Sequence, residues 1–206
     1  MSKVDYKKEL KQFYAGKVNT PVTVVVPKMN YIMIDGKGDP NNSQEYIDAI
    51  QTLYPLAYTI KFISKIKYDN DFAVMPLEGL WWTKDIEHFS EKGKDEWLWT
   101  AMIMQPDIIT TDIYDQAIQQ IKEKKSLQSI DKVRFASYDE GVAAQVLYVG
   151  PYATEGPTIQ NLHAFIKEQG GVLNKNTKHH HEIYLSDPRR SEPAKLKTII
   201  RQPYQK

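Results

Sequence analysis

Apolar residues alternate with polar ones along some stretches of this chain. Along others they recur every three to four positions, and the changes of period mark out elements. Residues 1–19 read as a polar lead-in with one short helix carrying Leu10 and Phe13. Thr20–Val26 is β-branched and closed by Pro27, a strand pattern. Tyr31–Ile34 is a second extended run, ending in the turn cluster Asp35-Gly36-Lys37-Gly38-Asp39-Pro40. Asn42, followed by Glu45, has the form of a capping box. It opens a helix in which Tyr46, Ile47, Ile50, Leu53, Tyr54, Tyr58, Phe62, Ile63 and Ile66 recur at helical spacing, with Pro55 placed to kink or divide it. Phe72–Leu77 and Leu80–Thr83 read as strand broken at Gly79. Residues 84–95 are a charged loop, and Trp97–Gln105 is a strand ended by Pro106.

The second half continues in the same manner. Thr110 or Thr111 caps a helix with Ile113, Ala117, Ile118 and Ile121 on one stripe and Lys122, Lys124 and Lys125 at its negative end. Val133–Tyr138 and Val142–Val149 flank Asp139-Glu140-Gly141 as a hairpin. Gly156-Pro157 opens a helix carrying Ile159, Leu162, Phe165 and Ile166, which Gly170-Gly171 stops. His179–Leu185 and Lys195–Gln202 are the last strands. Each half therefore holds two strands, a helix and two strands, and Thr100–Pro106 aligns with Lys197–Pro203 at the two ends. The pattern predicts an α+β fold: a tandem repeat of strand-strand-helix-strand-strand units, 20–107 and 108–206, with antiparallel sheets around a central ligand cleft. A Gly/Ser- or Pro-rich linker between the halves is lacking, so 20–206 reads as a single domain.

Composition narrows the function classes. The chain has 206 residues, no cysteine, and 27 basic against 26 acidic residues. Zero cysteines exclude a disulfide scaffold, a thiolate zinc site and a cysteine nucleophile. The charge balance argues against a nucleic-acid binder. The first residues lack a secretory h-region and no apolar run approaches the ~20 residues of a membrane span, so a cytoplasmic protein with no membrane partner is expected. Thirteen Tyr, six Phe and four Trp suit an aromatic-lined pocket, or equally a packed core.

The densest candidate chemistry lies at His179–Arg190. Strand alternation puts His180, Glu182, Tyr184 and Ser186 on one face. It puts His179, His181, Ile183 and Leu185 on the other, which is expected to meet the helices. A carboxylate beside a phenol and an imidazole is a general acid/base set; the same residues would also be ordinary on a solvent-facing strand. Of three consecutive histidines at most two share a face, so no metal is expected. All four Trp fall between positions 81 and 99. Trp97 and Trp99 share a face and Trp81 and Trp82 oppose each other, forming either a core or a stacking wall for a flat ligand. Tyr152 stands in the rigid turn Gly150–Pro157 and could rim a pocket.

The strings Pro76-Leu-Glu-Gly-Leu-Trp-Trp82, Gln105-Pro-Asp107, Gly150-Pro-Tyr152 and His180-His-Glu-Ile-Tyr-Leu-Ser-Asp-Pro-Arg-Arg190 resemble the stand-alone GyrI-like proteins over residues 20–205. The resemblance implies two strand–helix–strand (SHS2) modules around a cleft that takes flat aromatic or cationic small molecules. It further implies hydrolysis of cyclopropane-bearing, DNA-alkylating compounds without a cofactor. In that reading Glu182 is the general base on water, with a pKa raised by burial. Tyr184 or His180 hydrogen-bonds the substrate carbonyl, and Trp81, Trp82, Trp99 and Tyr152 hold the ligand. The alternatives are a non-catalytic drug or effector binder and a gyrase-inhibitor-like interaction module.

Overall fold

A computed structural model describes residues 3–83, 93–173 and 179–206. Two short helical turns, α1 (Tyr6–Glu9) and α2 (Lys11–Tyr14), precede strands β1 (Val22–Val26) and β2 (Met29–Lys37). Helix α3 (Gln44–Tyr68) leads to β3 (Leu77–Trp82) and β4 (Leu98–Gln105). Then come α4 (Thr111–Lys124), β5 (Arg134–Tyr138), β6 (Gly141–Val149) and α5 (Gly156–Glu168). The chain ends with β7 (Val172–Leu173), β8 (His180–Tyr184) and β9 (Lys197–Gln205). Most of the charged loop expected at 84–95 lies outside the described residues; Lys94–Glu96 form one 3₁₀ turn.

The strands form one antiparallel sheet in the order β1-β6-β9-β8-β3-β4-β2-β5, with β7 added to β9. The α+β class with antiparallel pairing thus stands. The pairing within it differs from the sequence reading at one point. β5 and β6 do not form a hairpin: β5 pairs with β2, and β6 pairs with β1 and β9. The connecting turn is anchored instead, because Glu140 is ion-paired to His181 and Arg201 and holds the start of β6 beside β9. The first half runs β1-β2-α3-β3-β4, whereas the second opens with α4 and carries three strands, β7, β8 and β9, after α5. The first strand of each half completes the sheet of the other half.

Local details follow their chemistry. The side chain of Ser43, rather than Asn42, caps α3 by accepting from the Tyr46 amide at 3.3 Å. α3 runs undivided through Pro55, because Leu53, Leu56, Ala57 and Ile60 on its inner side are fully buried. Strand β3 continues through Gly79, and β9 continues through Pro203, which pairs with Ala143. Thr110 caps α4 as expected.

The sheet is covered on both faces. Glu182 on β8 lies opposite Gly79 and Ile200; Gly79 lies opposite Ala101, and Ile200 opposite Val146. Cross-strand partners share a face, so these residues define the front. α3 packs on this front over β2 and β4, and α5 packs on it over β6 and β9. β3 and β8 lie between the two helices. The back is crossed by the N-terminal segment, which buries Phe13 and Tyr14. Both faces of β8 are therefore interior, and four of its five residues are buried.

Candidate functional site

The strip of β3 and β8 left between α3 and α5 collects polar side chains. β8 presents His180, Glu182 and Tyr184, and β3 presents Gly79 and Trp81. Tyr46 arrives from the first turn of α3, and Tyr152 and Glu155 from the turn before α5. This corrects the expected facing of β8. Glu182 and Tyr184 point toward the helices, whereas His181 and Ile183 point to the back.

Glu182 is the hub. His180 Nε2 donates to its Oε1 at 3.1 Å. Tyr184 and Glu155 also hydrogen-bond to it. The Tyr184 hydroxyl accepts from Trp81 Nε1 at 3.0 Å and is hydrogen-bonded to Tyr46. Gly79 makes this possible. A Cβ there would stand 2.6 Å from Trp81 Nε1 and 3.1 Å from the Tyr184 hydroxyl, so only glycine lets the indole fold back across β3. Tyr152 meets Tyr184 edge-on at 5.6 Å. Tyr46 packs on Trp81 at 5.5 Å and on Trp99 at 5.0 Å, and Trp97 packs on Trp81 at 5.8 Å.

The two carboxyls titrate apart. Burial, the charge of Glu182 and the hydrogen bond to it push Glu155 up to about 9. Burial also works against ionising Glu182. The hydrogen bond and charge of His180, with the hydrogen bonds of Tyr184 and Glu155, outweigh it and hold Glu182 below its ordinary value. At neutral pH Glu155 therefore carries the proton and donates it to an ionised Glu182. The raised pKa foreseen for Glu182 belongs to its neighbour. Burial and the same carboxylate push Tyr152 up to about 12 and lift Tyr184 far above the ordinary phenol range. A carboxylate touching a carboxylic acid places a base and an acid at one point.

Of the residues singled out in the sequence, Glu182, Tyr184, His180, Trp81 and Tyr152 come together here. Trp99 is fully buried behind Tyr46, with its ring over Gly36 on β2. Trp82 turns to the back and stacks on His179 at 4.1 Å. Glu155 and Tyr46 were missed. Tyr46 belongs to the apolar stripe of a helix, and Glu155 sits in a Gly/Pro turn whose only sequence signal was its neighbour Tyr152. Among the described residues no group of three His, Asp or Glu side chains is placed to hold a metal ion.

A family model described as the GyrI-like small molecule binding domain matches residues 20–203. No curated protein matches the chain. An uncharacterized conserved protein from Listeria innocua shares 40% identity with a TM-score of 0.88, over 98% of this chain and 100% of its own. A hydrolase from Listeria innocua shares 40% identity with a TM-score of 0.85, over the same shares of the two chains. The C-terminal domain of EcmrR, at 13% identity and a TM-score of 0.56 over 91% of this chain and 98% of its own, shares the fold.

Proposed function

We propose, starting from the fact that the chain belongs to the GyrI-like small molecule binding family, that it opens the strained ring of cyclopropane-bearing, DNA-alkylating small molecules with water. The feature that carries this reading is the meeting of the Glu155 and Glu182 carboxyls beside Tyr184, Trp81 and Tyr152, with Glu155 pushed up and Glu182 held down. The hydrolase name of a Listeria innocua protein at 40% identity supports the reaction class, and the resemblance described above supports the substrate class.

A flat conjugated substrate lies against Tyr46, Trp81 and Tyr152, with its cyclopropane methylene toward Glu182 and its carbonyl toward Glu155. Glu182 takes a proton from water as the water oxygen bonds to the methylene carbon. The ring carbon–carbon bond breaks, and its electron pair moves through the conjugated system to the carbonyl oxygen. That oxygen becomes a phenolate; with Glu182 now protonated by the water, the Glu155 hydroxyl turns from it to the phenolate and gives up its proton there. Glu182 is then protonated and Glu155 ionised, and a proton transfer along their direct hydrogen bond restores the starting state. His180 and Tyr184 keep Glu182 oriented. The residues present supply the base, the acid and the stacking surface.

Purified protein incubated with a cyclopropane-bearing alkylator is expected to turn it over. Glu182→Gln and Glu155→Gln should each slow turnover by about 10²–10⁴-fold, the range of general acid–base contributions. The wild-type rate should fall above a pH of about 9 as Glu155 ionises. Turnover unchanged in both variants would remove this mechanism. An ionised carboxylate among aromatic rings is also a cation site. A ligand bound tightly and recovered intact would therefore favour a non-catalytic binder.

A further inference from the structure

The back of the same two strands holds ionised groups that the proposed reaction does not use. His181 is fully buried between two carboxylates: its Nε2 is 2.9 Å from Glu78 Oε2, and its Nδ1 is 2.9 Å from Glu140 Oε1. Arg201 on β9 closes the set, with Nη1 at 2.7 Å from Glu140 Oε2, Nε at 3.0 Å from Gln145 Oε1 and Nη2 at 2.5 Å from the Phe13 carbonyl. Tyr14 donates to the remaining Glu78 oxygen at 2.8 Å. Gln145 donates to the carbonyls of Gln12 and Ala15. Two carboxylates face two cations, so the group is electrically balanced and its hydrogen bonds close on themselves. A buried charge set of this kind is costly to desolvate and gains little net stability, so its retention calls for a role in specifying structure.

Its position supplies that role. The pairing of β3 with β8 joins the two halves of the sheet through only the register Glu78↔Ile183 to Trp81↔His180. The front-face site is divided by this seam. Trp81 and Tyr46 come from one side, and Glu182, Tyr184, His180, Tyr152 and Glu155 from the other. Each seam strand carries a site residue on the front next to a member of this set on the back: Gly79 beside Glu78, and Glu182 beside His181. The His181–Glu78 ion pair is a side-chain bond across the seam, directly behind the Trp81–Tyr184 hydrogen bond that crosses it in front.

We infer that His181 is the positioning residue of the site. Clamped between Glu78 and Glu140, it holds the β3–β8 seam in the register that brings Trp81 and Tyr184 into contact and aims Glu182. The N-terminal segment belongs to this scaffold through Tyr14 and Phe13. The inference rests on the functional reading above only for its effect on turnover. The geometric claim is read separately.

The test uses the Trp81 indole N–H in a ¹H–¹⁵N spectrum. Four tryptophans give four indole signals, and Trp81→Phe identifies the relevant one. Replacing His181 alone strands two buried carboxylates and endangers folding. The variant is therefore the double change His181→Gln with Glu78→Gln, which keeps Glu140 and Arg201 as a balanced pair. Tyr14→Phe, which removes only the donor to Glu78, is the milder companion. Ile121→Ala is the control, a truncation of a buried residue on α4, away from the seam.

The double variant should speed solvent exchange of the Trp81 indole about tenfold, corresponding to the loss of roughly one hydrogen bond. Tyr14→Phe should move it in the same direction by less. Ile121→Ala should lower Tm without selective change at Trp81. If the protein hydrolyses its substrate, kcat should fall with the indole protection while KM stays within about twofold, the pattern of lost transition-state positioning. An indole signal unmoved in the double variant and in Tyr14→Phe overturns the inference, as does a control that moves it equally. Absence of turnover in wild type would sink the hydrolase reading and leave the indole result standing.

Discussion

A carboxyl that keeps its proton at neutral pH weakens the fold that holds it. Glu155 is raised from 4.5 to about 9, so between those values the folded chain binds a proton that the unfolded chain releases. Stability from this group therefore falls as pH rises through that window, the opposite of the usual ion-paired carboxylate. Glu155→Gln should raise Tm at pH 8 by more than at pH 4.5 while lowering turnover. A Tm difference that does not grow with pH would contradict the assigned proton. At this scale the sequence was readable where motif and alternation agreed, as at Glu182 and Tyr184. Glu155 escaped because its partner lies on another strand and its own context is a turn. Alternation set Trp81 and Trp82 on opposite faces without saying which of them meets the site, and the structure turns Trp82 to the back against His179.

At the scale of elements, β8 shows why alternation located the site yet misplaced its surroundings. The period-two split of His180, Glu182 and Tyr184 from His181 and Ile183 is real. Alternation alone does not say which face meets helices, and here both faces are covered. The consequence on the back is a histidine whose charge is part of the packing. Burial opposes the imidazolium, but the charges and hydrogen bonds of Glu140 and Glu78 outweigh it and raise His181 from 6.5 to about 9. A raised cation stabilises the fold fully below its unfolded value and loses that contribution as pH rises through the folded one. In the Glu155→Gln background, where the other alkaline group is gone, Tm should decline as pH rises through about 9. The double variant lacking His181 and Glu78 should not show that decline. Parallel curves would contradict an ionised His181.

At the scale of the whole molecule, the exchange of first strands makes the halves interdependent. β1 of the first half finds its partner β6 in the second, and β5 of the second finds β2 in the first. Residues 1–107 alone should lack a cooperative unfolding transition, and mixing them with 108–206 should restore it. Independent folding of either half would contradict the exchange. Element order within each half was legible because Gly, Pro and period changes are local signals. The crossing of strands was not, since Asp139-Glu140-Gly141 reads as a hairpin until Glu140 is seen ion-paired to β8 and β9. The strip of β3 and β8 between α3 and α5 draws its side chains from both halves, so this set is assembled only in the complete sheet.

The proposed reaction is the opening of a strained carbocycle by water that Glu182 activates. The direct measurement is the product mass after incubating a cyclopropane-bearing alkylator with the protein in ¹⁸O-labelled water, beside Glu182→Gln. A product carrying one labelled oxygen, formed over many turnovers by wild type and far more slowly by the variant, is the expected result. Recovery of the unchanged compound with quenched tryptophan fluorescence would contradict hydrolysis and make the protein a binder of such molecules.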